Sequence, residues 1–179
     1  LLRATEVDPA TAASYEEIET QTRRLAKFVD ELVDIVRVDR GLLAIARERL
    51  NLVEVAGQAA ASVRPLVELR RHTLTCALPD RPILVDGDPH RLNQVISNLL
   101  ENAAKYTERG GHITLALGRH GNDAVLRVRD NGVGIASSDL ERIFEPFTQA
   151  DHSLARIGGG LGLGLSVVRR VLGLHGGRI

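Results

Sequence analysis

The segment from Asp88 to Tyr106 constrains the fold of this chain more than any other. Asp88 followed by Pro89 predicts the start of a helix, because aspartate caps helices and proline at the first helical position loses no backbone hydrogen bond. At the helical period the apolar side chains fall on one stripe. They are Leu92, Val95, Ile96, Leu99, Leu100 and Ala103. The helix is therefore expected to lie on a core, with this stripe facing inward.

A separate, polar stripe of the same helix carries Asn98, Glu101, Asn102 and Lys105. Solvated helix faces favour residues with better helix propensity than asparagine, and an asparagine at the edge of a buried face needs hydrogen-bond partners. An amide oxygen suits Mg²⁺, which keeps several waters and takes other ligands from phosphate oxygens, and a lysine adds positive charge for those phosphates. The helix alone leaves a ligand site and a structural role equally open.

The remaining segments predict a mixture of helices and strands. Strands are predicted for the runs "ERLNL", "HTLTCAL", "PILV", "HITLAL" and "DAVLRVRD". Asn51 with Glu54 predicts the start of one helix, and Ser138 with Glu141 forms a capping box for a short one. A last helix is predicted from about Leu165. Together these elements indicate an α+β sandwich of two layers, in which helices cover one face of a sheet.

A long helix with a heptad pattern precedes this mixed unit, from about Ser14 to Arg40. Its seam positions alternate between spacings of four and three residues. They are Ile18, Thr22, Leu25, Val29, Leu32 and Val36. We expect this seam to pack on a partner helix, although an amphipathic helix lying on its own domain would have a similar pattern. The chain thus divides into a partial helical segment, residues 1–45, and a globular domain, residues 46–179.

Charge and hydropathy exclude several classes of partner. Lysine plus arginine and aspartate plus glutamate both number 23, so the chain has no bulk field that would attract nucleic acid or an anionic membrane. No apolar run approaches the roughly 20 residues of a membrane-spanning helix. The single cysteine, Cys76, is expected to be a small buried side chain in a reducing compartment. Any phosphate site must therefore be local.

The run "LRVRDNGVGI" ends a strand pattern in an acid and two glycines. Leu126, Val128 and Asp130 share one strand face, so the carboxylate is predicted to end a buried row. Such an acceptor suits the exocyclic amino group of adenine, whereas the carbonyl of guanine would oppose it at a cost of about 1–3 kcal/mol. Gly132 and Gly134 would let the backbone approach a base. A simple tight turn is the alternative.

The run "IGGGLGLGLSVVRR" alternates Gly160, Gly162 and Gly164 with leucines and leads directly into a helix. Backbone amides at a helix N-terminus are a ready anion site. The run is not typical of a flexible linker, which favours serine, nor of a P-loop, which requires a lysine after its last glycine. It is therefore a second candidate phosphate site.

Four runs follow one another in the order "NLLENAAKY", "DNGVGI", "FEPF" and "GGLGLGLSVV". In them the chain resembles the ATP-binding catalytic domain of sensor histidine kinases, part of the superfamily that includes gyrase B, Hsp90 and MutL. The resemblance implies a Bergerat-type ATP-binding fold for residues 46–179, truncated before its last strands. It also makes residues 1–45 part of the second helix of the family's dimerization and phosphotransfer hairpin.

The resemblance implies ATP and Mg²⁺ as cofactors and assigns roles to single residues. Asn102 would be the principal Mg²⁺ ligand with Asn98 beside it, and Asp130 would anchor adenine. The implied nucleotide site comprises Asn98, Asn102, Lys105, Tyr106, Asp130, Gly132, Gly134, Ile135, Phe144, Phe147, Gly160, Leu161, Gly162, Leu163 and Gly164. Phe144 and Phe147 would precede a lid, "TQADHSLARIG", but core packing would explain them equally well.

The implied activity is transfer of the γ-phosphoryl group of ATP to a histidine, from which the aspartate of a response regulator receiver domain takes it. None of the six histidines has the family's acceptor context, so we expect the acceptor upstream of Leu1, on the dimerization domain of a homodimer, and no catalytic residue within this chain. Gyrase-like ATPases carry a water-activating glutamate where this chain has Asn98, so hydrolysis should be slow. A gyrase- or MutL-like ATPase and a non-enzymatic, nucleotide-gated dimerization module are the alternatives. We expect a cytoplasmic fragment, with any membrane attachment outside it.

Overall fold

Helices and strands occur in the predicted order in the computed structural model, which describes residues 8–39, 44–148 and 161–179. The helices are α1 (Pro9–Asp39), α2 (Leu52–Leu69), α3 (Pro89–Tyr106) and α4 (Gly164–Leu174). The strands are β1 (Glu48–Asn51), β2 (Thr73–Ala77), β3 (Leu84–Gly87), β4 (His112–His120) and β5 (Asp123–Asp130). A 3₁₀ helix covers Arg142–Phe144.

Side-chain caps fix the starts of α2 and α3, as predicted. The Asn51 carboxamide oxygen accepts a hydrogen bond from the first turn of α2 at 3.2 Å, and its nitrogen donates to Glu54 Oε1 at 2.9 Å. Asp88 Oδ1 accepts from Arg91 N at 3.1 Å. Each cap satisfies backbone donors that have no partner within their own helix, so both helix starts are set locally by the sequence.

The main sheet has the strand order β2-β4-β5. β2 runs parallel to β4, with Thr73 beside His112, and β4 runs antiparallel to β5, with Ile113 opposite Asp130. The turn between β4 and β5 contains Gly121, whose φ of 61° suits glycine. β1 and β3 pair antiparallel in a separate two-stranded sheet. This register places the end of β5 beside the start of β4.

The core lies between the main sheet and a layer of helices. Its larger buried side chains are Val55, Val63 and Val67 of α2, Ile96 and Leu100 of α3, and Ile113, Leu115 and Leu117 of β4. A second cluster joins α3 to α4 and consists of Val95, Leu163, Val167, Val168 and Val171. The predicted inward stripe of α3 therefore has a core on which to pack, and the two-layer α+β sandwich is confirmed.

The heptad stripe of α1 is exposed. Ile18 is 60% exposed, Leu25 63% and Val29 50%. The alternative in which this stripe lies on the chain's own domain is therefore wrong, and packing on a partner helix stays a prediction. Within the described ranges, no helix combines the length and apolar character needed to cross a bilayer.

Two local predictions are wrong. Cys76 is exposed, because β2 is an edge strand whose side chains have little cover. Ser138 and Glu141 do not begin an α-helix, since turns run from Ser137 to Glu141 and a 3₁₀ helix without a side-chain cap follows. The Ser138 hydroxyl donates to Asp139 Oδ1 at 3.4 Å and so bonds a carboxylate instead of backbone amides.

Candidate functional site

The polar stripe of α3 is partly buried. Asn98 is 5% exposed, and Asn102, Lys105 and Tyr106 are half-buried. Lys105 Nζ lies 4.8 Å from the centroid of the Tyr106 ring. Such a cation–π contact contributes about 0.5–1 kcal/mol at a partly exposed site and restrains the ammonium group. The stripe therefore ends in a positive charge that is held in place by its neighbour.

Asn98 joins α3 to the start of α4. Its Nδ2 donates to Gly164 O at 3.3 Å, and a Cβ on Gly164 would lie 3.8 Å from Asn98 Cγ. A carbonyl can only accept, so the amide nitrogen must face it and the amide oxygen is directed elsewhere. Asn98 was expected at the edge of the buried face, but it is enclosed between the two helices. Two of the predicted site segments are thus in direct contact.

Gly162 brings together the chain on either side of residues 149–160. Its φ is 73°, and a Cβ there would lie 2.5 Å from Thr148 O and 3.0 Å from Phe147 C. Both the backbone conformation and the available space therefore require glycine. Gly160 and nearly all of the predicted lid lie outside the described residues.

The loop after β5 is bonded to the C-terminal end of α3. Val133 N donates to Tyr106 O at 3.2 Å, and Gly132 N donates to Asp130 Oδ1 at 2.9 Å. A Cβ on Gly132 would lie 2.4 Å from Tyr106 O, so the close approach in this loop is to protein backbone. The loop that carries Asp130 is consequently fixed beside the end of the polar stripe.

Asp130 is exposed, so the prediction that it ends a buried row is wrong. Leu126 and Val128 on the same strand face are only half-buried, and the cover of the helix layer does not extend to the last residue of β5. The carboxylate is therefore open to solvent while one of its oxygens holds Gly132. It can accept a hydrogen bond from a ligand without prior rearrangement of a core.

The two predicted aromatic residues, Phe144 and Phe147, lie in different environments. Phe144 is half-buried, and the guanidinium carbon of Arg169 lies 5.1 Å from its ring centroid. Phe147 is 62% exposed and has a φ of 63°, so core packing is the wrong explanation for this residue. A non-glycine residue in this region is strained by about 1–3 kcal/mol, a feature often found at functional sites.

The other predicted residues differ in their accessibility. Ile135 is 48% exposed and Leu161 40%, so both can reach a ligand. Leu163 is 1% exposed and packs in the cluster between α3 and α4. It therefore holds the glycine run against α3 and cannot itself reach a ligand. Gly134 has a φ of 70°, which explains the glycine there through the backbone alone.

Sequence reasoning missed several contacts that hold the site. Asn131 Oδ1 accepts from His112 N at 2.7 Å and ties the loop after β5 to the start of β4. Asn131 stands within the "DNG" run, so a side-chain role there was detectable. Arg169 gave no signal, because a helical arginine that follows apolar residues is typical of an ordinary solvated face.

Asp88 is the most perturbed acid at the start of α3. Burial raises the pKa of its carboxyl, but hydrogen bonds from the backbone N–H groups of Arg91, Ala46 and His90 outweigh this and hold the pKa below its ordinary value of 3.8. Asp88 N donates to His175 Nε2 at 3.0 Å. The carboxylate form is thus favoured, and Asp88 connects the start of α3 to Ala46 and His175.

The residue types limit which metal ion could bind. In the parts of the chain that are described, no three acidic, histidine or cysteine side chains are grouped to hold a metal ion. The oxygen donors of the polar stripe are the asparagine amides and Glu101. Amide and carboxylate oxygens suit a hard cation that keeps other ligands from water or phosphate.

Comparison with known proteins identifies the family. Residues 87–179, more than half of the chain, match the family described as histidine kinase-, DNA gyrase B- and HSP90-like ATPase. The sensor histidine kinase RcsC of Escherichia coli strain K12 is 36% identical over 156 residues, which cover 87% of this chain and 16% of RcsC. The chain therefore spans a small part of the length of this curated relative.

Solved structures support the same fold. The mycobacterial sensor histidine kinase MprB has a TM-score of 0.63 and 28% identity, covering 73% of this chain and 81% of that one. Full-length ShkA in complex with AMPPNP has a TM-score of 0.76 and 23% identity, covering 96% of this chain and 35% of that one. The predicted ATP-binding fold is confirmed, and the chain belongs to the family of histidine kinase-, DNA gyrase B- and HSP90-like ATPases, as an ATP-binding catalytic domain of the histidine kinase type.

Proposed function

We propose that this chain is the ATP-binding half of a sensor histidine kinase. It transfers the γ-phosphoryl group of ATP to a histidine on a dimerization helix, from which a response regulator aspartate receives it. The contact between Asn98 and Gly164 carries the proposal, because it unites the amide-rich helix and the glycine run in one site. The loop after β5, bonded to Tyr106 O, supplies the third side.

Mg²⁺ fits the donors of α3. Asn102 is half-buried and within reach of a ligand, whereas Asn98 has committed its amide nitrogen to Gly164 and has only its oxygen left for a cation. We assign Asn102 as the principal ligand, with Asn98 beside it. Bound there, the ion would neutralise charge on the phosphates. Lys105, restrained by Tyr106, would hold a phosphate oxygen by charge.

Adenine is assigned to the exposed carboxylate of Asp130. Its Oδ1 already accepts from Gly132 N, so the carboxylate is oriented before a base arrives. The family match and the likeness to ShkA, whose structure is a complex with AMPPNP, support an adenine nucleotide. The rest of the proposed nucleotide surface consists of Gly132, Gly134, Ile135, Phe144, Phe147, Gly160, Leu161, Gly162 and Gly164, with Leu163 buried beneath it.

Phosphoryl transfer is favoured over hydrolysis as the main activity. Phosphoryl transfer asks an enzyme chiefly for positioning and charge neutralisation, which amides, glycines and one lysine can supply. A neutral amide at position 98 cannot act as a base towards water. The relatives named above are sensor histidine kinases, which favours the same branch.

Nucleotide titration by calorimetry tests the base contact. Replacing Asp130 with alanine should weaken ADP binding at least about tenfold, because an adenine donor and the loop amide both lose their acceptor. The matched control is Asp123→Asn, which alters an exposed acid at the other end of β5 and should leave ADP affinity unchanged. Unchanged affinity in Asp130→Ala would refute the adenine assignment.

Transfer of label tests the kinase assignment. A longer chain that includes the upstream dimerization helix should incorporate γ-labelled phosphate in an acid-labile form, as expected for phosphohistidine. Steady release of free phosphate without labelled protein would favour a gyrase-like ATPase. Nucleotide binding with neither product would favour a nucleotide-gated dimerization module.

The partners follow from the surface of α1. Its exposed apolar stripe, with Leu25 at 63% exposure, would be covered by the first helix of the dimerization hairpin and by a second copy of the protein. A homodimer and a receiver domain partner are thus part of the proposal. We also assign the fragment to the cytoplasm, where ATP and response regulators are found.

A further inference from the structure

His72 is a buried histidine bonded to the last turn of α3. The residue is 8% exposed and stands just before β2. Its ring Nε2 lies 2.9 Å from Ala104 O. A carbonyl oxygen can only accept a hydrogen bond, so Nε2 carries the ring hydrogen and donates it. In the neutral ring Nδ1 is then a bare lone pair, and among the described residues nothing bonds that atom.

The unbonded Nδ1 indicates what the imidazole supplies at this position. A buried polar atom without a partner costs free energy and is uncommon in folded proteins. A leucine side chain would fill a similar volume without that cost. The advantage of histidine over leucine is therefore the donor that Nε2 presents to Ala104 O.

Ala104 O needs a donor because α3 ends immediately after it. Within an α-helix this carbonyl would accept from the amide of Glu108, four residues further on. Thr107 is already extended, with a φ of −89° and a ψ of 137°, so the chain leaves the helix before Glu108 can supply that bond. Ala104 O is thus one of the carbonyls left without a partner at a helix C-terminus, and His72 provides the missing bond.

Two parts of the chain hold the last turn of α3 through its carbonyls. Ala104 O accepts from His72, and Tyr106 O accepts from Val133 N at 3.2 Å. Lys105 stands between these two carbonyls, with its ammonium group 4.8 Å from the Tyr106 ring centroid. The backbone that presents Lys105 and Tyr106 is therefore fixed on both sides of Lys105.

The backbone that carries His72 is itself held in place. His72 N donates to Val67 O at 2.9 Å and so closes the end of α2, while Thr73 N donates to Gly111 O at 2.9 Å and begins the pairing of β2 with β4. Arg71 between α2 and β2 has a φ of 57°, a conformation that suits the residue after a helix C-cap. The ring of His72 thus extends from a fixed support.

We propose that His72 is a positioning residue for the nucleotide site. Its Nε2–H holds the last turn of α3, and with it Lys105 and Tyr106, in the arrangement that receives the nucleotide. The buried ring acts through the backbone and not by contact with the nucleotide. The effect on nucleotide affinity rests on the proposed function, whereas the hold on the last turn does not.

ADP titration by calorimetry compares two substitutions of His72. His72→Gln keeps an N–H donor at the same number of bonds from the backbone, whereas His72→Leu fills the space without a donor. The leucine variant should bind ADP at least about fivefold more weakly, because Ala104 O is left buried without a partner and the turn that carries Lys105 shifts. The glutamine variant should stay within about twofold of the parent, which would assign the effect to the donor.

Val63→Ala is the matched control for loss of stability. Val63 is 4% exposed and packs in the core from α2, away from the last turn of α3. Its truncation should lower Tm, as loss of a buried side chain does, but should leave ADP affinity within about twofold of the parent. A fall in affinity that followed stability alone would appear in this control as well.

Hydrogen exchange of the Val133 amide, followed by NMR, reports on the last turn without any nucleotide. Val133 N donates to Tyr106 O, so a shift of the turn weakens this bond. Exchange should be at least about fivefold faster in His72→Leu than in the parent or in Val63→Ala, and near the parental rate in His72→Gln. Long-range ¹H–¹⁵N spectra of the parent should show the His72 ring with its hydrogen on Nε2.

Three results would overturn the proposal. They are an Nδ1–H tautomer of His72, parental ADP affinity and Val133 exchange in folded His72→Leu, and a glutamine variant that resembles the leucine variant in both measurements. His72→Phe, another side chain without a donor, replaces His72→Leu if that variant does not fold. If Asp130→Ala refutes the nucleotide site, the tautomer and the exchange rates still decide whether His72 holds the last turn of α3.

Discussion

Gly132→Ala should disrupt the junction between the loop after β5 and α3. The new Cβ would lie 2.4 Å from Tyr106 O and 2.9 Å from Tyr106 C, whereas non-bonded atoms settle near about 3.5 Å. Both contacts are backbone atoms, so no side chain can rotate away. The loop must move by about 1 Å and give up the bond from Val133 N to Tyr106 O, now 3.2 Å long.

The expected cost combines two effects. Overpacking of a tight site costs about 1–3 kcal/mol, and the lost hydrogen bond adds about 1 kcal/mol. The free energy of unfolding should therefore fall by about 2–4 kcal/mol, which lowers Tm by roughly 5–15 °C in a chain of this size. ADP affinity should fall as well, because Asp130 Oδ1 loses its contact with Gly132 N.

Thermal and urea unfolding with calorimetry on the same samples measure both effects. Gly118→Ala is the matched control, because its added Cβ has no described atom within 4 Å and its backbone needs no glycine conformation. It should leave ADP affinity unchanged. If Gly132→Ala retains the parent's Tm and ADP affinity, the loop is not held against Tyr106 and the proposed third side of the site is wrong.

Further substitutions test other parts of the molecule. Gly57→Ala should stabilise the chain by about 0.5–1 kcal/mol in urea unfolding, because this α2 position has no described atom within 4 Å of a new Cβ. Asp88→Asn should destabilise by about 1–2 kcal/mol at pH 7, since an amide group would face Ala46 N. The pKa of Asp88 is lowered in the folded state, so the stability that its carboxylate contributes is fully present above pH 3.8 and is lost as pH falls through the folded pKa. In urea unfolding at acid pH, the difference in stability between the parent and Asp88→Asn should therefore vanish. Asn102→Ala should weaken ATP binding more in the presence of Mg²⁺ than in EDTA, because Asn102 is the proposed principal Mg²⁺ ligand. Calorimetric titration of the variant and the parent with ATP, in Mg²⁺ and in EDTA, measures this difference.

Local rules account for much of the fold. Asp88 and Asn51 cap their helices because a short polar side chain acts on its own neighbourhood, and the apolar stripe of α3 marks a core at the helical period. Ser138 failed as a cap because a neighbouring carboxylate took its hydroxyl. The spacing of Ser138 and Glu141 does not reveal which of these acceptors or donors the hydroxyl will bond.

Long-range packing accounts for what the sequence could not predict. Asp130 was expected to be buried from strand alternation alone, but burial depends on how far a covering layer extends. Asp34 lay in a heptad pattern as an ordinary polar residue, and its hydrogen-bond partners, Arg91 and Gln94, stand 57 and 60 residues away. Neither periodicity nor composition reports on a contact of that kind.

The hydrogen bond from Asn98 to Gly164 O affects both the chemistry of the proposed site and the packing of α4 on α3. Gly164 O at 3.3 Å requires a donor at position 98, and the amide nitrogen is that donor. A carboxylate there would place two acceptors together at a cost of about 1–3 kcal/mol and would loosen α4 from α3. In the gyrase-like ATPases of the same superfamily, the resemblance places a water-activating glutamate at the corresponding position. An asparagine at position 98 therefore lacks the base and also supplies the bond that holds the glycine run against α3. The proposed slow hydrolysis and the proposed phosphate site both depend on this one side chain.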